Sequence, residues 1–144
     1  MKRREGRILA FQALFAWEMS RADPALLAEF WWRDAQTNAE FNDEAREDDC
    51  AFPRLLFLGT LEHIDEIDAV IRAHLVGWEF ARVNKVDLAL LRLSVYTLLF
   101  QRDVHPTIVI NEAVDIAKEF SMDESYKFVN AMLDTVRKEN ITRE

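Results

Sequence analysis

Residues 103–138, DVHPTIVINEAVDIAKEFSMDESYKFVNAMLDTVRK, limit the fold more than any other stretch of the chain. Pro106 breaks what precedes it, and Thr107 just beyond is a candidate N-cap. Val109, Ile110, Ala113, Val114, Ile116, Ala117 and Phe120 then recur at helical period, with Asn111, Glu112, Asp115, Lys118 and Glu119 opposite them. A second stripe follows in Phe128, Val129, Met132, Leu133 and Val136. Between the stripes, Ser121-Met122-Asp123-Glu124 reads as a capping box, Ser121 and Glu124 each serving an open amide. Two amphipathic helices joined by a tight corner must bury their stripes against further helices.

The rest of the chain supplies them. Residues 2–20 predict a helix with cationic first turns and an almost wholly apolar body, and 86–100 predict another that is apolar nearly all round. Both should be central to a bundle. Asp23-Pro24 restarts the chain as N-cap and first helical residue, opening a short helix toward Ala35. Leu55 through Leu75 predict one long helix, or two with a joint near Gly59. Residues 77–84 read as a joint containing a helical turn. Three Gly and three Pro among 144 residues are too few for a turn-rich β protein. The expectation is an all-α fold of about six or seven helices, forming two small helical bundles packed together. The whole chain, 1–144, should be a single domain, with an acidic, mobile loop over about 36–50.

Several chemistries find no residues to carry them. There is one cysteine, Cys50, and neither His63, His74 nor His105 has a His or Cys three or four residues away, so no metal is expected. No glycine-rich phosphate loop, catalytic triad or dinucleotide fingerprint is present, so neither an enzyme nor a cofactor is expected. Glu62, Asp65, Glu66 and Asp68 read as a solvated face rather than an acid–base pair. Phe30-Trp31-Trp32 reads as core plus one exposed ring. Arg92, a charge inside an apolar run, needs a structural ion pair. With no apolar run long enough to span a membrane and no signal peptide, a cytoplasmic location and no membrane partner are expected.

A net charge of −8 argues against a generic nucleic-acid binder, but the charge is uneven. Lys2, Arg3, Arg4, Arg7 and Arg21 face only Glu5 and Glu18 in the first 22 residues, whereas residues 23–50 hold nine acidic groups against Arg33 and Arg46. Screening over about 8–10 Å lets a basic end act independently of a distant acidic one. From these residues alone the basic end can be a phosphate-binding tip or an ordinary solvated terminus.

Resemblance sharpens the choice. Ile110-Asn111-Glu112-Ala113-Val114, Ala117-Lys118, Lys127-Phe128-Val129-Asn130 and Leu133-Asp134, with Gln12-Ala13-Leu14-Phe15 near the start, resemble the signature of the NusB family of antitermination factors. The likeness covers nearly the whole chain except about 36–50. It implies binding of boxA RNA in ribosomal RNA leader transcripts, together with the ribosomal protein NusE, within the RNA polymerase antitermination complex. It further implies Lys2, Arg3, Arg4 and Arg7 as phosphate contacts, Glu124, Lys127 and Phe128 as a second RNA patch, and Phe15 and Asp87 near the protein-partner surface. The family commonly has Asp where Glu124 stands and Tyr where Phe15 stands. It contains both monomers and dimers, so a homodimer stays open. Two alternatives also remain: a protein scaffold without RNA binding, and a helical domain related to the front of RNA cytosine methyltransferases.

Overall fold

The computed structural model describes residues 1–33, 50–77 and 79–141. Seven α-helices fill the described residues: α1 (Arg3–Ser20), α2 (Pro24–Leu27), α3 (Ala51–Glu62), α4 (Ile64–His74), α5 (Lys85–Phe100), α6 (Pro106–Phe120) and α7 (Ser125–Asn140). A 3-10 turn at Phe80–Arg82 precedes α5. No described helix is long and apolar enough to cross a membrane. The acidic stretch expected as a loop lies outside the described residues.

The helix predicted to be apolar all round is the axis of the molecule. Every residue of α5 from Asp87 to Leu98 is buried. One bundle packs α1 and α3 on it, and the other packs α4, α6 and α7 on it. Residues such as Leu88, Leu91 and Val95, all 0% exposed, each contribute about 1.5–3 kcal/mol by leaving water. The two amphipathic helices α6 and α7 form the expected hairpin and lay their stripes against α5.

Local chemistry departs from expectation at several ends. The chain does break within the Leu55–Leu75 region, but at His63, not Gly59. Gly59 stays inside α3 because Tyr96 comes so close that a Cβ there would collide with the phenol. The N-cap of α6 is His105, whose Nδ1 accepts from the Thr107 amide at 3.1 Å, so Thr107 lies in the first turn. Asp23 caps α2 as expected, accepting from Ala25 N at 3.0 Å. That helix ends early, at Leu27, and Phe30 adopts a left-handed conformation with φ 52°. The aromatic trio divides as expected: Phe30 is fully buried, Trp31 is 64% exposed, and the half-buried Trp32 donates to Gln12 Oε1 at 2.9 Å.

Arg92 has found its partners. Its Nε and Nη2 each meet one oxygen of Asp68 at 2.8 Å, while Nη1 donates to Glu18 Oε1 at 2.7 Å. Asp68 is therefore buried at 9% exposure, a correction to its reading as part of a solvated face. Glu18 also reaches Lys85 at 3.7 Å. One cluster of charges thus ties the end of α1, the middle of α4 and the start of α5.

Candidate nucleic-acid interface

The first turn of α1 sets out its cations in two depths. Lys2 is the N-cap, in extended conformation with no side-chain cap on the open amides behind it. Arg3 is exposed, its guanidinium 5.1 Å from the centre of the Phe52 ring on α3. Neither Lys2 nor Arg3 holds an ion pair within the described residues. Both therefore add to the positive end of the helix dipole and are open to an anion.

Arg4 is already engaged, with Nη2 3.1 Å from Glu119 and Nη1 3.7 Å from Asp115. All three side chains are 41–59% exposed, and a pair so wet is worth about 0–1 kcal/mol. A phosphate can compete for it.

Arg7 is different. Its side chain is only 4% exposed, Nη1 donates to Thr97 Oγ1 at 3.4 Å, and Nε lies 4.0 Å from Glu112. Burial lowers its pKa from the ordinary arginine value; Glu112 opposes that shift and Arg3 adds to it. Arg7 is thus a core cation that ties α1 to α5 and α6, and the expectation that it grips phosphate is corrected. Helical spacing does put Arg3 and Arg7 one turn apart, but the neighbouring helices cover the second.

The corner between α6 and α7 lies beside this tip, because Arg4 reaches the last turn of α6 and the corner begins two residues beyond Glu119. The expected capping box is absent: Glu124 caps α7 without a side-chain bond. Ser121 Oγ instead donates to Asp87 Oδ1 at 2.6 Å, and Ser125 Oγ donates to Asp87 Oδ2 at 2.9 Å. Asn84 caps α5 through Oδ1, which accepts from Val86 N at 2.8 Å and Asp87 N at 3.3 Å. Its amide reaches Met122 Sδ at 3.3 Å. Asp87 is therefore 5% exposed and has both oxygens engaged. It braces the corner from beneath and does not stand on the surface as a partner contact.

Between the corner and the start of α5 lies a cleft of ≈ 500 Å³, lined by Arg82, Val83, Asn84, Asp87, Phe128 and the corner residues 122–125. Phe128 is partly buried against the core and also lines the cleft. Glu124 also borders the cleft, and Lys127 pairs with it at 2.8 Å, both side chains being exposed. Phe15 is half-buried on α1. The Glu18–Lys85 and Glu18–Arg92 contacts bring its end of α1 beside the start of α5.

Sequence reading missed Phe52, which supports Arg3, and the Asp87–Ser121–Ser125 brace. Neither has a local signal, since the partners are 34 to 49 positions apart.

These features make up an all-α protein, over its described residues, with a cationic helix tip next to a largely apolar cleft that has Phe128 in its wall. The chain belongs to the NusB family, whose family model matches residues 4–138. It is 51% identical over 136 residues to the transcription antitermination protein NusB of Treponema pallidum (strain Nichols), covering 94% of this chain and 92% of that one. Among solved structures it is similar to T. maritima NusB, at TM-score 0.78 and 33% identity over 97% of this chain and 93% of that one. It also resembles a chain in a crystal structure of antitermination factors NusB and NusE in complex with dsRNA, at TM-score 0.77 and 30% identity, covering 96% and 99%.

Proposed function

We propose that this chain is a single-domain transcription antitermination factor, which binds boxA RNA of ribosomal RNA leader transcripts together with NusE and so joins the RNA polymerase antitermination complex. It works by binding rather than catalysis, in the cytoplasm where transcripts are made. The observation that carries this reading is the pair of unneutralised cations, Lys2 and Arg3, at an uncapped helix start on an otherwise anionic molecule. Its membership of the NusB family, and its likeness to a chain solved with NusE and RNA, support the choice of partners.

In this reading Lys2 and Arg3 hold backbone phosphates, and Arg4 joins them by exchanging Glu119 for the RNA. Phe128 offers a ring edge to a base splayed out of the strand, and Glu124 and Lys127 offer polar contacts beside it. Phe15, on the other part of α1, faces the protein partner.

Fluorescence anisotropy of a labelled boxA RNA, with and without NusE and across a salt series, tests the proposal. The expected result is binding that NusE strengthens and salt weakens, with a slope of about −0.7 per phosphate contact for a single strand. NusE binding with no affinity for the RNA would instead make the chain a protein scaffold.

A further inference from the structure

The cleft beside the α6–α7 corner has two walls of different origin. Residues 122–125 and Phe128 form one, and residues 82–84, from the turn that leads into α5, form the other. The corner wall is anionic. Asp123 and Glu124 are exposed there, Asp123 with no ion pair among the described residues and Glu124 holding Lys127 at 2.8 Å. Asp87 adds a third carboxylate, engaged by Ser121 and Ser125. An RNA strand brought against Phe128 therefore carries its phosphates past carboxylates, and a cation must offset that repulsion. Among the described residues that line the cleft, only Arg82 is cationic.

Arg82 is well placed for the role. It ends the 3-10 turn Phe80–Arg82, and its side chain is 77% exposed. Its ion pair is with Glu79, Nε to Oε2 at 3.8 Å, and Glu79 is 80% exposed. A pair so long and so wet holds little, so a phosphate can replace the carboxylate. The planar guanidinium fork matches two phosphate oxygens at once. The backbone that presents it is anchored on both sides. The Phe80 ring lies 4.2 Å from the Arg72 guanidinium and 5.8 Å from that of Arg92, and Val83 is buried.

We propose that Arg82 clamps the phosphate of the nucleotide whose base rests on Phe128, and so extends the RNA path from the tip of α1 into the cleft. This rests on the RNA-binding reading above and adds a positioning residue to it. Arg82 lies outside the basic cluster of the first 22 residues, and only the fold brings it to the same hollow as Phe128.

Anisotropy of the labelled boxA RNA with NusE, across a salt series, tests this on wild type, R82Q, R82K and E79Q. R82Q is expected to weaken binding by roughly tenfold and to flatten the log–log salt slope by about 0.7, one single-strand phosphate contact. R82K keeps the charge without the fork, so the slope should return while affinity falls between those of wild type and R82Q. E79Q releases Arg82 and should bind at least as tightly as wild type. If E79Q weakens binding as much as R82Q does, Arg82 only braces its turn and the clamp is overturned. R82Q with wild-type affinity and slope overturns it too; K2E with R3E still weakening binding would then leave the RNA-binding reading standing. A wild type with no affinity for the RNA removes both. Circular dichroism and NusE binding, expected unchanged in every variant, control for folding.

Discussion

Arg92 and Asp68 meet through two parallel contacts of 2.8 Å, Nε to Oδ1 and Nη2 to Oδ2, inside a protein in which both residues are at most 9% exposed. The fork geometry fixes α4 on α5, and the third contact, to Glu18, brings in α1. Removing Asp68 leaves a buried guanidinium with one carboxylate instead of two. Asp68→Ala should cost about 3–5 kcal/mol, toward the lower end because Glu18 remains. Urea unfolding, read from the midpoint at unchanged slope, measures it.

The same cluster makes stability depend on pH. Burial alone would raise the Glu18 pKa, but the bond and charge of Arg92, with Arg21 and Lys85 beyond it, bring it below the ordinary glutamate value. A carboxylate with a depressed folded pKa contributes stability above its unfolded value, and that contribution disappears as pH falls through the folded one. Wild type should therefore exceed Glu18→Gln in stability at neutral pH, with the gap closing under acid. Thermal midpoints of both proteins down a pH series provide the check; a gap that widens toward acid would contradict the assignment.

Asp87 holds the α6–α7 corner through Ser121 and Ser125. Asp87→Ala orphans both hydroxyls and should cost about 1–3 kcal/mol. Ser121→Ala together with Ser125→Ala leaves the carboxylate unsatisfied and should cost a similar amount. If the corner carries RNA contacts, either variant should also weaken RNA binding at temperatures where it remains folded. Thermal denaturation and anisotropy on the same samples separate the two effects.

How far these features were legible in the sequence depends on how local their causes are. The stripes of α6 and α7, the all-round apolar α5 and the Asp23-Pro24 start depend on spacing within one segment, and the helices follow. That Arg92 needed a partner was legible from its apolar surroundings. Which partner was not, because Asp68 sits in a run of carboxylates that looks wholly solvated. Ser121 to Glu124 matched a capping box by local pattern, yet Asp87, from another helix, offers the serine a charged acceptor and wins. Arg7 was misread for a related reason: a cation near a terminus suggests surface, and only tertiary packing reveals that α5 and α6 close over it.

Arg7 and its neighbours should consequently behave as two classes under charge reversal. Arg7→Glu buries an anion beside Glu112 and leaves Thr97 facing a carboxylate, so about 3–5 kcal/mol of stability should be lost. Lys2→Glu and Arg3→Glu change exposed, unpaired groups and should alter stability by about 0.5 kcal/mol or less. Comparing unfolding midpoints of the three variants decides this; equal midpoints would refute the burial of Arg7.

The most direct test of the central claim is the salt dependence of boxA RNA affinity in the Lys2→Glu, Arg3→Glu double variant, with NusE present. Loss of two phosphate contacts should weaken binding and flatten the log–log salt slope by about 1.4, two contacts at about 0.7 each, while helicity and NusE binding are unchanged. An unaltered affinity and slope would show that this tip does not hold the transcript.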